Sequence, residues 1–138
     1  MLSLSAHGDY GLLLLRALAS AKSGQYVSLA KLAQERHLPR KYLDHVAKQL
    51  VVAGVIVARE GRAGGYALRK PVEEIRFVEV LEALEGSLGP TQCTHDGECC
   101  ERQAACERKT GWQALHKELF NLLKSKTLAD VLSAAAKY

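Results

Sequence analysis

Apolar residues recur at helical spacing in the first third of the chain. Residues 7–21 are largely apolar and predict a mostly buried helix, which Gly24 closes. Ser28 can cap a second helix, because a hydroxyl at this place accepts a hydrogen bond from a free backbone N–H. The second helix has its apolar residues on one face: Leu29, Leu32 and Ala33.

A third helix is predicted over residues 39–53. Pro39 suits its first turn, where a missing N–H costs nothing, and Gly54 ends it. Two β-prone runs, residues 55–59 and 66–69, flank a glycine-rich turn and predict a β-hairpin. The third helix has an apolar stripe at i, i+3, i+4 and i+7: Leu43, Val46, Ala47 and Leu50.

Three helices followed by a β-hairpin are the layout of a winged helix-turn-helix. The predicted fold class is therefore mainly α with a small β-hairpin, plus a C-terminal dimerisation helix. Residues 1–70 are expected to form the DNA-binding domain, with 39–53 as the recognition helix and 60–65 as the wing tip. Residues 71–138 are expected to form a cysteine-loop sensor and dimerisation region. The 138 residues suffice for one compact domain and an extension.

Beyond residue 70, helices are predicted over 77–85 and 127–132, and a longer helix begins after Gly111. A heptad-like seam on this longer helix can pack on its own domain or against a second copy. We expect a homodimer on a palindromic operator, because two-fold symmetry doubles the DNA contacts. The seam has apolar residues at spacings of three, four and three: Trp112, Leu115, Leu119 and Leu122.

Charge is segregated along the chain, although the net charge is only +4. Residues 31–70 hold nine Lys or Arg against three acids, and residues 71–107 hold nine acids against two Arg. This distribution favours binding of a polyanion, here double-stranded DNA, by the first half. Apolar runs such as residues 12–15 are too short to cross a bilayer, and no signal peptide is visible, so we expect a cytoplasmic protein without a membrane partner.

The candidate DNA contacts lie on the third helix and on the wing. Arg and Lys can bind guanine edges or phosphates, and Asp can accept from cytosine. The small residues of the wing tip would let the backbone approach phosphates or the minor groove. Some of these side chains could equally be solvated surface charges. The candidates are Arg40, Lys41, Tyr42, Asp44, His45 and Lys48 of the helix, and Arg59 and Arg62 of the wing.

All four cysteines fall within residues 93–106, a polar segment that contains glycine. Clustered thiolates are soft ligands suited to iron–sulfur clusters or metals, and disulfides are uncommon in the cytoplasm. Two triplets have three separated positions, one with Cys99 and one with Cys100, and neither contains the C-x2-C pairs usual in zinc sites. Three thiolates leave one ligand position open at tetrahedral iron. The candidates for it are Asp9, His95, Glu107 and the spare cysteine, Cys99.

Several short motifs follow one another in a specific order. They are residues 4–11 (LSAHGDYG), 42–44 (YLD), 62–68 (RAGGYAL), 84–86 (LEG), the cysteine segment, 112–113 (WQ) and 127–132 (TLADVL). In these motifs the chain resembles iron–sulfur transcription regulators of the Rrf-two family, of the IscR/NsrR type. Within that family it is most similar to regulators of the Suf iron–sulfur assembly operon. The resemblance covers nearly the whole chain.

The resemblance implies a homodimer whose cysteine loop binds a 2Fe–2S or 4Fe–4S cluster that tunes operator binding. The Suf-type pattern favours Cys93, Cys100 and Cys106 as ligands, with Cys99 in reserve. In some members an acid near the N-terminus of the partner subunit is the fourth ligand, and Asp9 has the matching place. An alternative role for Asp9 is to stabilise the first helical turn through the helix dipole. Another branch uses a His three residues after the last cysteine, where this chain has Lys109.

The predicted function is a transcriptional repressor of iron–sulfur assembly genes that responds to iron–sulfur or redox status. It is not expected to be an enzyme, because no phosphate-cradling loop, nucleophile motif or carboxylate pair stands out. One alternative keeps the winged helix but makes the cysteines a metal-free thiol redox switch. A second alternative is a zinc or electron-transfer module without a role in DNA binding.

Overall fold

The computed structural model describes residues 5–88 and 109–134. Every helix and strand predicted from the pattern is present there, and the fold class is confirmed. The first helix ends earlier than predicted, and the described part of the long C-terminal helix includes the two residues before Gly111. The elements are α1 (Ala6–Ala19), α2 (Leu29–Arg36), α3 (Arg40–Val52), β1 (Ile56–Arg59), β2 (Gly65–Leu68), α4 (Phe77–Glu85), α5 (Lys109–Ser125) and α6 (Leu128–Ala134).

Local capping explains where α2 and α3 begin and end. The Ser28 hydroxyl accepts a hydrogen bond from the backbone N–H of Lys31, as predicted for an N-cap. His37 ends α2 in the left-handed conformation, with φ of 53°. Pro39 is the N-cap residue of α3 with extended backbone, one position before the first turn in which it was expected. Gly54, with φ of 74°, follows α3 as predicted.

The hairpin is a regular antiparallel pair extended by one residue from the α1–α2 connection. Ile56 pairs with Leu68, and Arg59 pairs with Gly65. Val27 pairs with Tyr66 on the other side of β2, through two backbone hydrogen bonds of 2.8 and 2.9 Å. The wing is therefore joined through its backbone to the residue that precedes the N-cap of α2.

One hydrophobic cluster forms the core, and it draws residues from both sides of position 70. The stripe of α3 is completely buried, as predicted, and packs with Leu14 and Leu15 of α1. Val80 and Leu84 of α4 and Leu128 of α6 belong to the same cluster. Leu128 is 0% exposed. The predicted division at residue 70 stays a prediction, and the core of the described chain is continuous across it.

The C-terminal segment returns to the winged domain through backbone pairing. Leu128 N donates to Ile75 O at 2.8 Å, and Phe77 N donates to Lys126 O at 2.9 Å. The preceding helix, α5, contacts α4 and leaves three large apolar side chains exposed: Trp112, Leu115 and Leu122. No helix in the described ranges is both long enough and apolar enough to cross a membrane.

Candidate nucleic-acid interface

The outward face of α3 presents two lysines and one ion pair. Lys41 and Lys48 are exposed and lie two turns apart, opposite the buried stripe. Arg40 donates from Nε to Oδ1 of Asp44 at 2.9 Å, and both side chains are about half exposed. The predicted contacts Arg40 and Asp44 therefore act as a pair, in which the carboxylate orients the guanidinium.

Tyr42 and His45 lie at the edge of α3 that faces α1. The ring centroid of His7 is 5.7 Å from that of Tyr42 and 5.2 Å from that of His45, and both pairs meet edge to face. Tyr10 lies 5.6 Å from Tyr42. We call these residues the four-ring cluster: His7, Tyr10, Tyr42 and His45. Two predicted DNA-contact residues thus also join the recognition helix to the first turns of α1.

His7 and Tyr10 join this surface although neither is among the predicted DNA contacts. The signal that was available is their spacing of three residues on α1, which matches the spacing of Tyr42 and His45 on α3. Only the crossing of the two helices brings the pairs together, and that crossing is a property of the tertiary fold.

The wing tip is held close to its own base. Arg59 donates from Nη2 to Ala63 O at 2.9 Å, and its guanidinium carbon lies 4.1 Å from the centre of the Tyr26 ring. A side chain at Gly64 would collide with the backbone of residues 59–61, and one at Gly65 would collide with Val27 O. Gly65 also has φ of 141°, which L residues rarely adopt. These glycines let the tip fold tightly, with Arg62 exposed on it.

An open groove of about 810 Å³ lies between α1, α2 and the wing. We call it the basic groove. It is lined by five basic side chains and one acidic side chain, Glu35, which is 3.8 Å from Lys31 Nζ. Such a groove can receive a phosphate backbone. Two of its basic residues, Arg59 and Arg62, were predicted contacts, and three were not: Arg16, Lys31 and Arg36.

The predicted sensor residues lie largely outside the described ranges. This holds for Cys93, His95, Cys99, Cys100, Cys106 and Glu107. Asp9 is described: it is exposed in the first turn of α1. Within residues 5–88 and 109–134, no three His, Cys, Asp or Glu side chains are grouped closely enough to hold a metal ion.

The end of α4, the last described helix before the cysteine segment in the sequence, is bonded to the start of α1. Ser5 donates to Glu85 Oε1 from its backbone N–H at 3.0 Å and from its hydroxyl at 2.8 Å. Glu85 is the last residue of α4, three residues before the description stops at residue 88. The end of α4 is therefore fixed to the N-terminus of α1.

A comparison with protein families matches residues 4–134 to a family described as "Rrf2: Iron-dependent Transcriptional regulator". The chain belongs to the Rrf2 family. Protein rrf2 of Nitratidesulfovibrio vulgaris is 33% identical over 135 residues, which are 98% of this chain and 90% of that protein.

Solved structures place the same fold in other Rrf2 regulators. CymR of B. subtilis, described as the global cysteine regulator, is 29% identical with a TM-score of 0.75 over 97% of this chain and 98% of that one. T. potens IscR is 29% identical with a TM-score of 0.71 over 97% of this chain and 88% of that one. The Rrf2 relatives are transcriptional regulators of the helix-turn-helix type, not enzymes, which confirms the predictions of DNA-binding regulation and of no catalytic role.

Proposed function

We propose that this Rrf2 protein is a cytoplasmic, homodimeric repressor of iron–sulfur assembly genes that binds a palindromic operator. It senses iron–sulfur or redox status through a bound iron–sulfur cluster. Cys93, Cys100 and Cys106 are the proposed cysteine ligands, with Cys99 in reserve. Asp9 of the partner subunit is the proposed fourth ligand. When bound, the cluster supplies a centre that is lost or altered when iron is scarce or oxidants are present. The proposed cluster is of the 2Fe–2S or the 4Fe–4S type.

The donor set fits such a centre. Three thiolates on a short polar segment are the soft ligands that iron–sulfur clusters take. Asp9 is exposed, so its carboxylate is accessible to a second protomer. Its place in the first turn of α1 is equally suited to the helix dipole, and the two roles are separated by the experiment below.

The contact between Ser5 and Glu85 is the observation that carries the proposal. It ties the last residue of α4, which precedes the cysteine segment in the sequence, to the N-terminus of α1. The same end of α1 contacts the recognition helix, because His7 touches both Tyr42 and His45. A change in the cysteine segment thus has a short route through α1 to the DNA-reading face of α3. A coupling of about 1–3 kcal/mol is typical between linked sites and changes occupancy several-fold or more.

The test compares cluster content with DNA affinity. Protein purified without oxygen is expected to be coloured and to contain iron and acid-labile sulfide, and the sulfide-to-protomer ratio gives the cluster type. Its affinity for fragments of its own promoter is measured with and without the cluster. Replacing any of Cys93, Cys100 and Cys106 by Ala should abolish the cluster, whereas Cys99→Ala, the matched control, should retain it. Colourless protein that cannot be reconstituted would refute the cluster.

Asp9 is tested separately because it has two candidate roles. Asp9→Asn removes both the carboxylate ligand and the charge that faces the helix dipole, so cluster stability should fall strongly, whereas loss of the dipole interaction should lower the free energy of unfolding by only about 0.3–1 kcal/mol. If Asp9→Asn keeps the cluster spectrum and its resistance to oxygen, Asp9 is not the fourth ligand and its role is confined to the helix.

A metal-free thiol switch is the second candidate, favoured by the similarity to CymR, a cysteine regulator. In that case oxidised protein should contain one defined and reversible disulfide between two of the four cysteines, visible by mass spectrometry, and DNA affinity should follow its formation. A zinc or electron-transfer module without DNA binding does not agree with membership in a family of transcriptional regulators.

A further inference from the structure

We propose that Arg59 is a positioning residue that sets the angle of the wing, and that Arg62 is the wing residue that contacts DNA. This inference rests on the DNA-binding function proposed above. It assigns different roles to two arginines that the sequence pattern placed in one group.

The guanidinium of Arg59 is engaged on its face and at its edge. Its face lies over the Tyr26 ring at 4.1 Å, a cation–π distance. Its edge donates from Nη2 to the carbonyl of Ala63 at 2.9 Å. A planar guanidinium can do both at once, and the ammonium of a lysine cannot. Arg59 therefore links the wing tip to Tyr26.

Tyr26 is itself fixed to the DNA-binding domain. The next residue, Val27, pairs with Tyr66 of β2, and Ser28 then caps α2. Tyr26 is half-buried beside these anchors. The contact with Arg59 consequently ties the wing tip to the start of α2, the helix that precedes the recognition helix.

The tip needs such a link because its own residues restrict it weakly. Residues 60–65 include three glycines and one alanine, and Gly61 has φ of 104°. A chain of this composition loses much conformational freedom when it is held in one shape on DNA. Holding Ala63 in place before DNA arrives reduces that cost. Arg62, in contrast, is exposed on the tip, where a phosphate or the minor groove is accessible.

The salt dependence of binding separates positioning from direct contact. A plot of log K against log salt concentration has a negative slope, and each phosphate contact that is lost reduces the magnitude of this slope by about 0.9. A residue that positions the wing changes the affinity and leaves this slope intact. The probe is a duplex that the wild-type protein selects from a randomised pool, titrated by fluorescence anisotropy between about 50 and 200 mM salt.

Arg59→Gln is expected to weaken binding on the order of tenfold with an unchanged slope. Arg59→Lys should not restore affinity, although it keeps the charge. Tyr26→Leu should resemble Arg59→Gln, and the double variant should be no weaker than either single one. Arg62→Gln is the matched control and should reduce the magnitude of the slope by about 0.9 for each protomer on the DNA. The thermal midpoint of each variant should stay near that of the wild type.

Opposite results would overturn the inference. If Arg59→Gln lowers the slope as Arg62→Gln does and Arg59→Lys restores affinity, Arg59 contacts phosphate directly. If Arg59→Gln lowers the thermal midpoint, hydroxyl-radical footprints decide: loss of wing protection alone supports positioning, and uniform loss refutes it. If the wild-type protein selects no duplex, the proposed function fails and the inference fails with it. This outcome is distinguishable from the two above, because in those the wild-type protein binds DNA.

Discussion

Glu85 accepts two hydrogen bonds from Ser5, which lies 80 residues earlier in the chain. The Ser5 hydroxyl also accepts from the backbone N–H of Gly8 at 3.4 Å and so caps α1. One residue therefore starts the first helix and holds the end of α4. Because the cysteine segment follows α4, this contact gives the most direct test of how that segment acts on DNA binding.

Glu85→Ala should reduce the difference in DNA affinity between protein with and without the cluster. The variant removes the acceptor for both Ser5 hydrogen bonds, so the link between the N-cap of α1 and the last residue of α4 is lost while the packing of the two helices remains. Stability should fall by about 1 kcal/mol. Anisotropy titrations of both forms and urea unfolding measure the two effects. Glu82→Ala, on the same helix and exposed, is the control. An undiminished difference in Glu85→Ala would show that the signal takes another route.

Gly11→Ala and Gly111→Ala should change stability in opposite directions. A Cβ at Gly11 would collide with the buried side chain of Leu84, so Leu84 has to shift, at a cost of about 1–3 kcal/mol that the better helix propensity of Ala offsets only in part. A Cβ at Gly111 meets no described atom within 4 Å, so its better helix propensity should add up to about 1 kcal/mol. Urea unfolding of both variants checks this. Equal stability of the two would contradict the close packing of α1 on α4.

Asp44→Ala should loosen the sequence discrimination of the recognition helix. The variant frees the Arg40 guanidinium from its ion pair and removes a negative charge from the predicted DNA-facing side of α3. Binding to random duplexes should strengthen, and preference for the selected duplex should fall by about 1–3 kcal/mol. Competition titrations measure both. Glu35→Ala removes the matching ion pair on α2 and should strengthen binding to all sequences alike.

The first turn of α6 should lose stability in acid. Thr127 donates to Asp130 Oδ2 from its backbone N–H at 2.8 Å and from its hydroxyl at 3.0 Å, and these bonds lower the pKa of Asp130. Because the pKa of Asp130 is lower in the folded protein than in the unfolded chain, its ionised carboxylate stabilises the fold fully above the ordinary Asp pKa of about 3.9. This stabilisation is lost as the pH falls through the lower pKa of the folded protein. An NMR titration of the Asp130 carboxyl should show this pKa moving upward in Thr127→Val. An unchanged pKa would mean that the hydroxyl contributes nothing.

Leu115→Glu should weaken self-association if α5 is the dimer interface. Leu115 is 50% exposed and lies on the apolar seam with Trp112 and Leu122. A charge there should raise the dimer dissociation constant by tenfold or more in sedimentation equilibrium. Asn121→Glu, at an exposed polar position of the same helix, is the control. If both variants stay dimeric, the exposed seam serves another purpose.

Local pattern predicted the elements well because local physics determines them. The stripe of Leu43, Val46, Ala47 and Leu50 repeats at the helical period, and all four residues are completely buried. Ser28 and Gly54 mark helix ends through backbone chemistry that does not depend on distant residues.

Contacts between distant segments were not predictable from the same pattern. The pairing of Ser5 with Glu85, of His7 with Tyr42 and of Tyr26 with Arg59 depends on how helices cross and where the hairpin folds back. Charge alone grouped Arg59 with Arg62, although their surroundings differ. The cysteine ligands rest on spacing and resemblance, and they stay predictions.

The position of Leu128 limits how Rrf2 regulators can be recombined. This residue of the last helix is fully enclosed in a core that also contains Leu14 and Leu43, and the backbone beside it pairs with residues 75–77. A chimaera that joined the first 70 residues of one regulator to the remainder of another would bring unrelated side chains together inside a single core. Exchange of sensing specificity between relatives is therefore best attempted by grafting the cysteine segment between α4 and α5, leaving both flanking helices in place.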